Sequence, residues 1–135
     1  MTGWCLIYEL VDPRTLAPRY VGLTTWRAEG IEESLQHRLQ QHINTRAKAI
    51  LDRRQWLEEL WSLDLRPIIR LLDTCPSVEA PELETDWMMK RWDEGHDLLN
   101  SAGRGRAMGT LADARSRLQA KIESSQRSQE LASAR

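Results

Sequence analysis

The sequence is 135 residues long and 41% hydrophobic, which is enough apolar material for one compact domain to fold unaided. No apolar run approaches the roughly 18 residues of a membrane helix, and the N-terminal residues lack the basic region of a signal peptide. We therefore expect a cytoplasmic protein with no membrane partner. The net charge of -1 does not by itself suggest a nucleic-acid partner, so the distribution of charge along the chain has to be considered.

The first third of the chain predicts a β-hairpin followed by a helix. Residues 4–11 are apolar on both alternating faces, which indicates a strand covered from both sides. After a turn at residues 12–14, residues 19–23 resume a β-prone run at hairpin distance. A helix is then predicted from apolar residues spaced four apart, at Ile31, Leu35, Leu39 and Ile43.

The next part of the chain predicts two more helices with a strand between them. The second helix covers about residues 47–62, the third strand residues 68–72, and the third helix about residues 78–93. Pro67 begins this strand and Pro76 breaks away from it. The resulting order, β-β-α-α-β-α, predicts an α+β fold with a three-stranded antiparallel or mixed sheet flanked by helices.

The composition changes after Asn100. Residues 103–135 are polar, contain no aromatic residue, and carry 7 Lys/Arg against 3 Asp/Glu, whereas residues 57–102 carry 4 against 11. We expect a globular domain over residues 1–102 and a basic polar tail over residues 103–135 that is partly helical or disordered.

A short basic cluster lies at the start of the second predicted helix and just before it. It consists of Arg46, Lys48, Arg53 and Arg54, with only Asp52 to balance it. Such a cluster can attract the phosphates of DNA, and it is equally compatible with an ordinary solvated helix face.

Glu84 lies in an unusual position on the third predicted helix. At about 100° per residue, Glu84 and Arg91 fall near the middle of the apolar arc that carries Leu83 and Trp87. A buried carboxylate has to be paired, protonated or bound to a metal. The sequence therefore leaves two readings open, a functional acid or a salt bridge between Glu84 and Arg91.

Two further polar residues share one flank of the first predicted helix. Arg38 and His42 are four residues apart beside its apolar face, whereas His37 points to solvent. An arginine suits phosphate oxygens, and a histidine can donate to phosphate or relay a proton. The alternative is a surface pair that covers the helix edge, and Tyr8 and Tyr20 could likewise be ordinary core aromatics.

Taken in order, these residues resemble the GIY-YIG nuclease family. That family has Gly-Ile-Tyr on a first strand, Tyr-Ile-Gly on a second, Arg and often His on the first helix, then Glu-x-x-Trp, then Asn. In this sequence, Leu6 stands where the family has glycine, and the interior of a strand can accommodate it. The matching segments are Leu6-Ile7-Tyr8, Tyr20-Val21-Gly22, Arg38 with His42, Glu84 with Trp87, and Leu98-Leu99-Asn100.

The resemblance implies a metal-dependent DNA endonuclease in a bacterial or phage-infected cell. It implies that Tyr8 activates or positions the attacking water and that Tyr20 shares its hydrogen bonds. Arg38 would brace the phosphate, His42 would relay a proton, and Glu84 would anchor Mg²⁺ or Mn²⁺. Gly22 and Asn100 would support the site.

Two other interpretations remain open at this point. The first is a catalytically silent nucleic-acid-binding or adaptor protein on the same fold. The second is a protein-interaction module that uses its acidic middle and basic tail. A homodimer or a recruiting protein partner is compatible with the nuclease, because we expect no separate targeting domain within these 135 residues.

Overall fold

The centre of the fold is a three-stranded antiparallel sheet. In a computed structural model, which describes residues 3–100, the strands are β1 (Trp4–Val11), β2 (Pro18–Thr25) and β3 (Ile68–Pro76), with β1 in the middle. The α+β prediction is confirmed, and both strand pairs are antiparallel. A β-bulge interrupts the β1–β3 register between Ile7 and Tyr8.

Three helices pack on this sheet. They are α1 (Ile31–Asn44), α2 (Leu51–Ser62) and α3 (Ala80–Asp93). Short 3₁₀ helices at Arg46–Lys48 and Ser77–Glu79 precede α2 and α3. The observed order of strands and α-helices is the predicted β-β-α-α-β-α.

The two faces of β1 are covered by different helices, which explains why that strand is apolar on both sides. Leu6, Tyr8 and Leu10 pack in a cluster with residues of α1 and α2. Cys5 and Ile7 pack in a second cluster with residues of α3. Because side chains alternate along a strand, neighbouring residues of β1 face opposite halves of the core.

Three predicted boundaries differ from the structure. The second helix begins at Leu51 instead of 47, because Ala49 and Ile50 are extended and no packing holds the exposed Ile50 in a helix. The third strand continues to Pro76, since Cys75 pairs with Cys5 in register and a proline can end a strand at low cost. The third helix begins at Ala80, after the 3₁₀ helix at Ser77–Glu79.

Trp61 on α2 does not lie in the core. Its side chain is 51% exposed, and the Arg46 guanidinium carbon lies 4.1 Å from the centroid of its ring. Trp56 on the same helix is buried and donates its indole N–H to Asp12 at 2.9 Å. The contact with Arg46 shows that a charged side chain covers part of Trp61.

Within residues 3–100, no helix is both long enough and apolar enough to cross a membrane. The predicted tail at residues 103–135 lies outside the described residues.

Candidate active site

Tyr8 is at the centre of a small polar cluster inside the sheet–helix interface. Its side chain is fully buried, and its hydroxyl lies 2.6 Å from Nε2 of His42 and 3.1 Å from Nε of Arg38. Arg38 and His42 are one turn apart on α1, so both can reach β1 from the same helix face. The structure therefore brings Tyr8 into contact with Arg38, 30 positions away in sequence, and with His42, 34 positions away.

The directions of these hydrogen bonds follow from the chemistry of the groups. Nε–H of Arg38 can only donate, so the Tyr8 oxygen accepts from it. Burial, together with the positive charges of Arg38 and Arg53, lowers the pKa of His42 to about 3, so the ring is neutral. The arrangement that satisfies all three groups is donation by the Tyr8 hydroxyl to Nε2 of His42, with the histidine proton on Nδ1.

Burial also acts on the tyrosine itself. It raises the pKa of Tyr8 well above the ordinary value, electrostatic interactions with Tyr20 and Glu84 act in the same direction, and Arg38 opposes them. Free ionisation of this phenol at neutral pH is therefore strongly unfavourable. Loss of the Tyr8 proton is therefore more favourable when another proton replaces it at the same time, and His42 lies within hydrogen-bonding distance to accept the one that leaves.

Tyr20 and Gly22 complete the wall of the cluster from β2. The Tyr20 ring lies 6.3 Å from the Tyr8 ring and 5.3 Å from the His42 ring, measured between centroids. Gly22 is the β2 partner of Tyr8 in register. A Cβ at position 22 would lie 2.5 Å from the Tyr8 hydroxyl oxygen and 2.8 Å from Cε1 of Tyr20, so only glycine leaves room for both rings.

Glu84 lies on α3 within electrostatic range of the cluster. Its carboxylate is half-buried, and desolvation raises its pKa, while Arg38 lowers it. Its charge also raises the pKa values of Tyr8 and Tyr20. The alternative of a salt bridge to Arg91 is not what the structure contains, because Arg91 pairs with Glu9 and Glu94 instead.

Asn100 holds the end of the described chain against β2. Its side-chain oxygen accepts from the backbone N–H of Val21 at 3.0 Å, and its side-chain amide donates to the Val21 carbonyl at 2.6 Å. Leu99 adds a backbone hydrogen bond to Arg19. Since Val21 lies between Tyr20 and Gly22, Asn100 fixes the strand segment that forms the wall of the cluster.

The four residues of the predicted basic cluster have different surroundings. Arg53 alone of the four is in contact with the tyrosines, with its guanidinium carbon 4.9 Å from the centroid of the Tyr20 ring. Arg46 contacts Trp61 and pairs with Glu58, while Lys48 and Arg54 are exposed.

Sequence reasoning missed two buried acids. Glu9 and Asp12 are each 2% exposed. Glu9 pairs with Arg70 and Arg91, and it could have been noticed as a lone acid in an apolar strand. Hydrogen bonds from Arg14 keep the pKa of Asp12 well below its usual range, and Asp12 thereby fixes the turn after β1.

Glu84 would be the single protein ligand of a divalent cation at this cluster. Glu84 makes no hydrogen bond or ion pair with another residue in the described range, which leaves its oxygens available as hard ligands. Among residues 3–100, no three His, Cys, Asp or Glu residues are grouped as a metal-binding set. A cation at Glu84 would therefore keep several waters and use substrate oxygens, as Mg²⁺ commonly does.

Comparison with known proteins gives no match to a family model, to a curated protein or to a solved structure.

Proposed function

We propose that the protein is a metal-dependent DNA endonuclease similar to the GIY-YIG family, hydrolysing phosphodiester bonds at the cluster around Tyr8. The observation that carries the proposal is the pair of hydrogen bonds at the Tyr8 hydroxyl, 2.6 Å to His42 and 3.1 Å to Arg38. A phenol between a neutral base and a fixed cation is suited to transfer a proton beside an anionic substrate.

Arg38 supplies the positive charge for the scissile phosphate. Its Nε is used by Tyr8 and one terminal nitrogen by Gln41, which leaves the other terminal nitrogen to face a phosphate oxygen. No carboxylate among residues 3–100 forms an ion pair with it. Its charge is therefore available for an anionic ligand.

Tyr8 and His42 move the proton of the attacking water. As the water oxygen bonds to phosphorus, its proton passes to the Tyr8 oxygen, and the Tyr8 proton passes to Nε2 of His42. The phosphorus–oxygen bond to the leaving group breaks on the opposite side, and the leaving oxygen takes a proton from solvent. Because the two transfers occur together, the phenol never carries the full charge that burial disfavours, and the anionic phosphate stabilises the proton on His42, whose pKa is about 3 without substrate.

Glu84 would hold Mg²⁺ or Mn²⁺, and the cation, when bound, neutralises charge on the phosphate and on the leaving oxygen. Its position near Arg38 and both tyrosines supports this assignment. The charges of Glu84 and Arg38 both act on the two tyrosines, and Arg38 acts on Glu84 as well. DNA is the proposed substrate, because its successive negatively charged phosphates can bind the positively charged arginines beside the two tyrosines.

A second candidate function is a DNA-binding protein that does not cleave. The observation in its favour is that the side chain of Tyr8 is fully buried, so no water reaches its hydroxyl directly. Arg38 is the half-buried group in contact with that hydroxyl. Cleavage therefore requires Arg38 to shift toward a bound phosphate and admit a water molecule.

The test is the nicking of supercoiled plasmid with Mn²⁺ by the purified protein and two variants. Glu84→Gln removes the proposed ligand charge and should slow nicking by at least about 100-fold, the scale of a lost charge-stabilising group. Glu82→Gln removes an exposed carboxylate from the same helix and should nick at the wild-type rate. Equal nicking by all three proteins would contradict the proposal, while DNA binding without any nicking would support the second candidate.

A further inference from the structure

Arg53 adds a second arginine to the cluster around the two tyrosines. It lies in the first turn of α2, with its guanidinium carbon 4.9 Å from the centroid of the Tyr20 ring. Tyr20 in turn lies against Tyr8 and His42. Each tyrosine of the cluster thus has its own arginine, Arg38 on Tyr8 and Arg53 on Tyr20.

The charge of Arg53 is not balanced by an acid. Within residues 3–100, it forms no ion pair with a carboxylate, and its buried Nε has no hydrogen-bond partner. A partly buried cation without a counter-charge is costly, and an anionic ligand offsets that cost. The described arginines that do form ion pairs lie elsewhere: Arg14, Arg27, Arg46, Arg70 and Arg91.

The effect of Arg53 reaches the reacting groups. Its charge lowers the pKa of His42 and opposes the burial that raises the pKa of Tyr20. Cation–π attraction holds a guanidinium over a ring face, and the planar donors of an arginine suit bidentate contact with phosphate oxygens. Arg53 is therefore held in place before any ligand arrives.

We propose that Arg53 binds a second phosphate of the substrate strand, adjacent to the one at Arg38, so that the site recognises two phosphates in succession. This inference rests on the proposed function, because it takes the ligand to be DNA. With one arginine on each tyrosine, the two phosphate contacts would then set the register of the strand relative to Tyr8.

The test measures DNA binding separately from cleavage. A fluorescein-labelled 20-bp duplex is titrated with the protein in EDTA, at a series of salt concentrations, so that no strand is cut. Arg53→Ala should weaken binding about tenfold at low salt, as expected for one lost charged hydrogen-bond pair. It should also reduce the slope of log affinity against log salt concentration by about 0.9, the value for one phosphate contact.

Two control variants separate a phosphate contact from a structural role. Arg66→Ala removes an equal charge from an exposed side chain and should leave the slope unchanged. Arg53→Lys keeps the charge and should retain the slope, even if it packs less well on Tyr20. The midpoint of thermal unfolding of each variant shows whether that variant is folded.

An unchanged slope for Arg53→Ala would overturn the inference, and so would an equal change for Arg66→Ala. If Arg53→Ala reduces the salt slope by one phosphate contact and wild-type protein nicks no plasmid, the inference holds and the nuclease proposal fails. If wild-type protein nicks plasmid and Arg53→Ala has the same salt slope for duplex binding as wild type, the nuclease proposal holds and the inference fails. Absence of any duplex binding by wild-type protein contradicts both.

Discussion

Nε of Arg91 lies 2.9 Å from Oε2 of Glu9, and this contact joins the last turn of α3 to the central strand. Glu9 is 2% exposed, so its charge is compensated inside the protein by Arg91 and by Arg70. The contact also occupies the arginine that could have neutralised Glu84. It therefore both anchors α3 and leaves the Glu84 carboxylate available.

Replacing Arg91 should destabilise the protein more than replacing Arg70. Arg91→Met leaves Glu9 with a partner that is 48% exposed, and the free energy of unfolding should fall by about 3 kcal/mol, as for a broken buried ion pair. Arg70→Met should cost about 1 kcal/mol, because its exposed pair is screened by solvent. Urea denaturation of both variants measures the difference, and equal losses would show that α3 is not anchored through Glu9.

The stability of the protein should depend on pH through His42. Burial holds the folded-state pKa of His42 at about 3, below its unfolded value of about 6.5. Between these values the unfolded chain binds the proton and the folded protein does not. The contribution of neutral His42 to the free energy of unfolding is therefore complete above pH 6.5 and is lost as the pH falls below it. From pH 7.5 to 5.5 this contributes a loss of about 1.4 kcal/mol.

The comparison with His42→Gln isolates this contribution, because other titrating groups are common to both proteins. The free energy of unfolding is measured by urea denaturation at pH 7.5 and pH 5.5. The wild-type protein should lose about 1.4 kcal/mol more than the variant over this interval. The same loss in both proteins would mean that His42 takes up a proton as readily in the fold as in water.

Gly22→Ala should damage the site directly. The added methyl would lie 2.5 Å from the Tyr8 hydroxyl oxygen, so the tyrosines must move, at a cost of about 1–3 kcal/mol. Removing that oxygen with Tyr8→Phe should relieve part of the clash. A double-mutant cycle by thermal denaturation should give a coupling above about 0.5 kcal/mol, and additive effects would show that the two positions do not compete for space.

Much of the fold could be predicted from sequence because its signals are local. The double-sided apolar pattern of residues 4–11 predicts a covered central strand, and the four-residue spacing from Ile31 predicts α1. The start of α2 could not be predicted, since Ile50 and Leu51 are apolar but exposed. Local propensity does not determine which apolar residues find a partner.

The site was predictable only in part, because its contacts are long-range. The shared flank of Arg38 and His42 follows from helix geometry, but their contact with Tyr8 depends on how α1 packs on β1. The position of Glu84 on α3 was visible from periodicity, whereas the choice of Glu9 as the partner of Arg91 was not. The sequence identifies Arg53 only as a member of a basic cluster, because its contact with Tyr20 joins residues that are far apart in the chain.

The most direct test of the central claim is the rate of plasmid nicking by Tyr8→Phe with Mn²⁺, relative to the wild-type protein. The variant loses only the hydroxyl that joins Arg38 to His42. Its rate should fall by at least about 100-fold, the usual contribution of a proton-transfer group, while duplex binding in EDTA changes little. A thermal midpoint that shows a folded variant completes the measurement. Nicking at the wild-type rate by folded Tyr8→Phe would contradict the claim that this hydroxyl takes part in the reaction.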